Sequence, residues 1–433
     1  MSAATDVQLG HQVIRKLFWR LLPFLFLLYV VSYLDRINVG FAKLQMQEQL
    51  EFSERTFGTG FGIFFAGYFF FQVPSNLLLE RMGVRRWIAG LMVAWGIVSC
   101  SMIFVRSAAS FYALRFLLGA AEAGFFPGMI LYMKRWFPSG ARARAIAWFM
   151  TANPLAGVIG SPISGVLLTF RSGGLQGWQW LFVLEALPAI VLGLVVAWAL
   201  PEKPVKATWL SETERSWLLE TLQAESTQER PLAKNELLAA VLSVRIWILS
   251  LVYFGLPTCM YGVTLWLPSA IHGLSGAGYV ATGLIATFPF VVTTIAMVVA
   301  GIHSDRTGER SWHTGLAGFA GGAGLLMATF SAEPVLVISG MTLGMMGAQS
   351  MAGPFWAMAT VQIGARAAAG IAVINSVANL GGYLGPYIIG LFRSSGGQYR
   401  GGLLVIAGVM ALSGSLALLV GSKSQKIQDA IGS

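Results

Sequence analysis

Four ionisable residues lie inside apolar runs of this 433-residue chain, as two pairs: Asp35 with Arg36, and Arg115 with Glu122. An ionised side chain at the centre of a membrane helix costs about 2.5–3.5 kcal/mol on insertion scales, so it persists where it is paired and used. A guanidinium grips a carboxylate through two parallel hydrogen bonds, which makes Arg36 the candidate for holding an anionic substrate. Tyr33, about one turn earlier, is placed to hydrogen-bond the same ligand. Glu122 sits among Ala121, Ala123, Gly124 and Phe125. Desolvation there penalises its charged form, which suits a carboxylate that takes up and releases a proton. Asp35 is the second proton-site candidate, its charge competing with substrate for Arg36. Arg115 lies two helical turns from Glu122 on the same face and would sense both carboxylates. The expected cycle runs as follows: protonation of Asp35 and Glu122 frees Arg36 for the anion, the loaded protein rocks inward, and proton release weakens the site. The alternative is a static role, with these pairs tying the first and fourth spans together.

The elements that must position these residues follow from composition. Hydrophobic residues make up 56% of the chain and charged ones 11%, against roughly 25% charged in a soluble domain. That excludes a water-soluble globule and implies an all-α membrane protein. Apolar stretches long enough to cross a bilayer fall at 18–41, 57–79, 87–105, 110–133, 144–169 and 179–200, then at 246–271, 279–302, 313–331, 334–357, 367–392 and 402–421. The chain therefore divides into a six-helix bundle at 1–200, a central loop at 201–244 and a second six-helix bundle at 245–433. In the loop, Ser211 to Glu214 fits a helix capping box. The Trp217, Leu218 and Leu222 that follow form either an apolar stripe on the bundle or membrane surface, or part of a solvated linker.

Of 29 Lys and Arg residues, 21 fall on the side of the termini, Arg366, Lys423 and Lys426 among them. Six (Lys43, Arg55, Arg106, Arg171, Arg393 and Arg400) fall on the other, and Arg36 and Arg115 lie within spans. The positive-inside rule then puts both termini in the cytoplasm. The formal charge of +10 is topological. No basic face interleaved with aromatics is present, so nucleic acid is not an expected partner. Cys100 and Cys259 read as small buried hydrophobes. His11, His272, His303 and His313 are scattered and show no metal-ligand spacing, so neither metal nor cofactor is expected.

The halves look related. "NLLLERMGVRR" (76–86) follows the second span and "GIHSDRTGER" (301–310) the eighth, each an acid–Arg pair, then Gly, then Arg. This repeated turn resembles the signature of the major facilitator superfamily. "YLDRINVGFA", "RFLLGAAEAGFFPG", "GWQWLFVLEALPAI" and "INSVANLGGYLGP", in spans 1, 4, 6 and 11, resemble the anion:cation symporter family within it. They are most similar to its bacterial tartrate, phthalate and hydroxyphenylacetate carriers. The resemblance spans essentially the whole chain. It implies two pseudo-symmetric six-helix bundles working by alternating access in the inner membrane, and a proton-coupled symporter importing a small organic anion (a hydroxy or aromatic carboxylate). It also implies that Asp35, Arg36, Arg115 and Glu122 are the coupling and anion-binding groups. Exchange of one anion for another, or coupling to sodium, stays open.

In that family, positions matching Tyr68, Asn153, Asn375 and Asn379 line the central cavity; ordinary interhelical hydrogen bonding is the other reading. Tyr253, Tyr261, Trp266, Phe355 and Trp356 supply rings to wall a pocket, or to pack helices. Few hydroxyls surround Gly353 to Trp356, which tilts the substrate away from sugar acids. Glu185 in span 6 looks buried, and its family match suggests a structural role. Gly and Pro in spans 5 and 11 suggest bends in moving elements. The pairs Glu80–Arg81 and Asp305–Arg306 would latch neighbouring helix ends in the outward-facing state and part in the inward-facing one. No nucleotide loop, zinc-protease motif or nucleophile elbow is present, so an enzyme is not expected. Substrate anion, protons and bilayer are the expected partners, and a monomer the expected unit.

Overall fold

The computed structural model describes residues 3–226, 234–363, 367–396 and 399–432. The first half comprises α1 (Ala3–Gln49), α2 (Glu54–Met82), α3 (Val84–Cys100), α4 (Ala108–Glu122), α5 (Phe125–Trp136), α6 (Ser139–Met150), α7 (Ala152–Leu167) and α8 (Gly177–Ala199). The connection holds α9 (Glu212–Ser226) and α10 (Lys234–Val241). The second half comprises α11 (Val244–Ser275), α12 (Tyr279–Thr307), α13 (Ser311–Phe330), α14 (Pro334–Ser350), α15 (Ala352–Ile363), α16 (Ala367–Gly396) and α17 (Arg400–Gly432). Of the charged residues named above, the side chains of Glu80, Lys423 and Lys426, and all of Arg366, lie outside the described residues.

Ten helical stretches among the described residues are long and apolar enough to cross a membrane; α4 with α5, α6 with α7, and α14 with α15 each form one. Helices α13 and α16 complete two sets of six. Their apolarity is diluted by the glycines of α13 and by Asn375 and Asn379 in α16. Both are embedded, α13 between α14 and α17, and α16 between α11 and α2.

Three spans are broken in the same way. Pro127, Pro154 and Pro354 each stand third in the second segment of their span (α5, α7 and α15). Proline has no N–H for the carbonyl four residues back, and its ring clashes with that carbonyl, so the helix restarts just before it. The expected interruption of span 5 is thus present, at Thr151. The expected one in span 11 is not, because α16 runs unbroken through Pro386. Its glycines serve close packing instead: a Cβ on Gly385 would run into the Thr258 carbonyl of α11. Gly119 does the same work in α4, where a Cβ would meet the Phe64 carbonyl of α2.

The connection is docked, not solvated. Ser211 and Glu214 form the capping box, with Ser211 N–H donating to Glu214 Oε2 at 2.9 Å and Glu214 N–H to Ser211 Oγ at 3.3 Å. Leu218 is fully buried, the Trp217 ring covers Gly10 of α1, and Lys16 pairs with Glu214 at 2.6 Å. Glu225 accepts from Ser139 N–H at 2.8 Å and from Arg142 Nη2 at 2.9 Å, closing the start of α6. The bundle therefore has a linker end, where α9 lies, and a distal end.

The halves pack through α2 with α16, α7 with α12, and α1 with α11. These contacts run from the centre to the distal end: Phe65 against Gly382, Gly58 against Pro386 and Gly390, Gly165 against Tyr279 and Gly283, and Gly40 against Leu265.

Candidate functional site

Asp35 and Arg36 are neighbours on α1, and successive helical positions point about 100° apart. They face different partners. Asp35 is buried toward α3, accepting from Ser99 Oγ at 2.6 Å and from Asn38 Nδ2 at 3.4 Å. Arg36 turns toward α4, donating from Nε at 3.0 Å to Glu122 Oε2 and pairing through Nη2 with the same oxygen at 2.9 Å. Glu122, the last residue of α4 before its break, has no exposed surface, and its Oε1 is left without a hydrogen bond. The carboxylate that occupies Arg36 is thus Glu122, while Asp35, which the sequence offered as a further competitor for Arg36, turns to α3.

Aromatic rings box the guanidinium of Arg36. Its central carbon lies 4.9 Å from the Tyr33 ring centroid, 5.2 Å from Phe64 and 5.4 Å from Tyr68. Such faces attract a cation by roughly 0.5–2 kcal/mol each, more as water is excluded. Phe64 is shared with Arg115, whose guanidinium carbon is 4.9 Å from the same ring and 5.4 Å from Phe61. Arg115 is completely buried. Its Nε donates to the Gly60 carbonyl at 3.3 Å, while Nη1 and Nη2 have no hydrogen-bond partner. The i to i+7 face shared by Arg115 and Glu122 therefore carries no direct ion pair in this state.

Contact with the second half comes through Tyr261 of α11. Its hydroxyl lies 3.4 Å from Arg36 Nη1 and 3.4 Å from the Tyr33 hydroxyl, which in turn accepts from Asn153 Nδ2 at 2.7 Å. The sequence offered Tyr261 only as a wall ring. Nothing local marks it as a partner of Arg36, 225 positions away. Tyr253 stacks on Phe355 at 4.7 Å and meets Trp356 edge-on at 5.0 Å. Asn375 and Asn379, half-buried, share the face of α16 that carries Gly382 toward Phe65 of the first half. Tyr33, Arg36, Tyr68 and Asn153 thus converge on one centre with Tyr261, whereas Trp356 packs on Tyr253 and Phe355.

Glu185 lies behind Asp35. It is buried, accepts from Ser164 Oγ at 2.7 Å and leaves Oε2 unpartnered. Among the described turn residues, Asp305 pairs with Arg310 of its own turn at 2.6 Å, and Arg81 and Arg306 are exposed. His303 and His313 are not scattered; their ring nitrogens meet at 2.6 Å. Among the described residues no group of three metal-ligating side chains forms. Both cysteines are free.

Sequence reading missed a cluster at the distal end. Lys43 and Arg393, counted above as flanking charges, are built into α1 and α16. Glu54, which opens α2, forms ion pairs with Lys43 at 3.0 Å and with Arg393 at 2.8 Å, so one carboxylate joins both halves. Lys43 also reaches Ser269 of α11 at 3.2 Å and lies over the Trp266 ring.

The sequence pattern of the Major Facilitator Superfamily matches residues 25–386. The chain belongs to that superfamily. This facilitator is 46% identical over 420 residues to an Agrobacterium vitis protein that carries a provisional name as a tartrate transporter, covering 96% of this chain and 93% of that one. It is 38% identical to the metabolite transport protein NicT of Pseudomonas putida, with 97% of each covered. It is 35% identical to the inner membrane transport protein RhmT of Escherichia coli, with 94% of each covered. Among solved structures, a bacterial homologue of the lysosomal transporter Spinster superposes with a TM-score of 0.75 at 15% identity, over 94% of this chain and 97% of that one. A D-xylose–proton symporter gives 0.71 at 14%, over 93% and 96%. The facilitator is a membrane-spanning transporter of small molecules, not an enzyme, with the superfamily fold.

Proposed function

We propose that this facilitator is a proton-coupled symporter that imports a small carboxylate across the inner membrane, with both termini in the cytoplasm. The observation that carries the reading is the grip of Arg36 on one oxygen of Glu122, a hydrogen bond from Nε and an ion-pair contact from Nη2. A substrate carboxylate needs the same donors, and it can take them when Glu122 gives up its charge to a proton. Arg36 then forks onto the substrate, and Tyr33, Tyr261 and Asn153 offer hydrogen bonds around it. Tyr68, Trp356, Asn375 and Asn379 shape the rest of the cavity. Arg115, with two free nitrogens, stabilises whichever of Asp35 and Glu122 is ionised. The provisional tartrate-transporter name of the Agrobacterium relative supports a carboxylate cargo.

Packing from the centre to the distal end, with Asp305 paired inside its own turn, supports an inward-open state. In the outward-open state the Lys43–Glu54–Arg393 cluster parts, and the pairs Glu80–Arg81 and Asp305–Arg306 latch the linker end.

The test is uptake of labelled tartrate, phthalate, hydroxyphenylacetate and sugar acids into proteoliposomes, with and without an inward proton gradient, beside Glu122→Gln. Gradient-driven accumulation of a carboxylate, lost in the variant, is the expected result. Uptake indifferent to the gradient, or a variant that still accumulates substrate, would overturn the coupling role of Glu122 and put anion exchange first.

A further inference from the structure

We propose that a pocket on the first half, at the linker end, binds the phosphate headgroup of an anionic phospholipid. It is a cavity of about 530 Å³ between α1, α3, α8 and the segment that leads into α9. Its polar rim carries Arg20, Arg85 and Lys206, with Glu202 the single carboxylate. Among the described residues none of the three cations has a salt bridge, and the Nε of Arg85 is buried without a hydrogen-bond partner. A buried donor left unmade costs about 1–3 kcal/mol, more when charged, so the rim favours an anion that brings several oxygens. Glu202 does not neutralise it. Its carboxylate lies over Gly83, where a Cβ would strike it.

The walls say which anion. Leu21, Phe24, Val195 and Trp198 line the same cavity, so it offers an apolar wall beside the cations. Trp198 is 76% exposed and Trp19, on the neighbouring turn of α1, is 79% exposed. Exposed tryptophans at helix ends mark the level of lipid headgroups. A free anion uses the rim alone, whereas an acidic phospholipid uses the rim for its phosphodiester and the walls for its glycerol and first methylenes. Basic pockets between membrane helices are recognised sites for such headgroups.

Occupancy has a structural effect. Lys206 and Trp209 belong to the connecting segment. That segment is fastened to the first half by Tyr132, which donates to the Pro201 carbonyl at 2.8 Å, and by Trp209 stacking on Trp136 at 5.8 Å. A headgroup held between Arg85 of α3 and Lys206 closes the remaining gap and keeps the connection on the first half.

The experiment is the melting temperature of the purified full-length protein in detergent, titrated with dioctanoyl phosphatidylglycerol, dioctanoyl phosphatidylcholine or inorganic phosphate. Phosphatidylglycerol raises it, and the other two leave it unchanged. The rise shrinks in Lys206→Gln and disappears in Arg85→Gln/Lys206→Gln. Native mass spectrometry checks the same point: phosphatidylglycerol stays bound in preference to phosphatidylcholine and is lost from Lys206→Gln, an exposed side chain whose replacement leaves the fold intact. A rise of equal size with phosphatidylcholine, or with phosphate alone, would overturn the lipid assignment, the latter in favour of a free-anion site. A Lys206→Gln protein with the full rise and full retention would overturn the site itself.

Discussion

The two halves share a helix plan but divide the chemistry. Asp35, Arg36, Arg115, Glu122 and Glu185 all lie in the membrane interior of the first half. The spans of the second half, α11 to α17, carry no Asp, Glu, Lys or Arg between Arg245 and Asp305 or, Glu333 at the start of α14 aside, between Arg310 and Arg366. Where α4 ends at its proline break with Glu122, α14 ends at its own with Gln349 and Ser350, followed by Phe355 and Trp356. One half holds the charges; the other supplies rings, amides and Tyr261. A proton-binding group needs a fixed electrostatic setting, which a single rigid bundle provides more readily than an interface that opens every cycle.

The largest expected effect removes the charge at the centre of that contrast. Arg36→Ala strands Glu122 as a buried carboxylate without a direct cation, a loss of about 3–5 kcal/mol, and carboxylate uptake in proteoliposomes falls at least ~100-fold. Arg36→Lys restores the charge without the fork and recovers only part of it. Next comes the one charged bridge between the halves among the described residues. Glu54→Gln removes the carboxylate charge that holds two cations at the interface. The distal end then opens more often, and labelling of a cysteine placed at Ser269 speeds up by tenfold or more. Unchanged labelling would remove Glu54 from the gate.

Smaller changes are expected from the uncharged half. Trp356→Ala removes ring contacts worth about 0.5–1.5 kcal/mol, so KM rises about two- to tenfold with kcat preserved. A kcat loss there would erase the division between the halves. The smallest effect lies outside the membrane, at Lys16 and Glu214. Burial raises the Glu214 carboxyl, but the Lys16 ammonium and the Ser211 bonds outweigh it and hold it below its ordinary value of 4.5. A depressed carboxyl contributes stability that is present above that value and lost as pH falls through the lower, folded one. Lys16→Met therefore lowers the melting temperature slightly at neutral pH, by the ~0.2–1 kcal/mol of an exposed pair. The difference vanishes in acid.

Span number, the all-α class and the central charged residues were legible because each violates or obeys a local rule: apolar length for the helices, charge in an apolar run for the site. The docked α9 was half legible, its capping box written in four consecutive residues but its seat on α1 not. What stayed hidden depends on pairing between distant helices. Which carboxylate reaches Arg36 is set by the 100° step between neighbours on α1 and by the approach of α2 to α4 at Gly119. Lys43 and Arg393 looked like flanking charges because helix ends in sequence do not reveal that α1 and α16 extend beyond their apolar cores. The breaks before Pro127 and Pro354 were not legible because a proline in an apolar run need not break its span, as Pro386 inside unbroken α16 shows.

The distal cluster holds two cations and one carboxylate, so closed or open it is net positive. While Glu54 bridges Lys43 and Arg393, that charge is spent on holding the halves together. Once the bridge parts, the same two cations stand at an open mouth, where a field of that sign draws anions in and turns cations away. Such steering fades as salt shortens its range. In the cycle proposed above, the lock on the closed entrance becomes a lure on the open one, and rising ionic strength slows the arrival of an anionic cargo before it touches the central site.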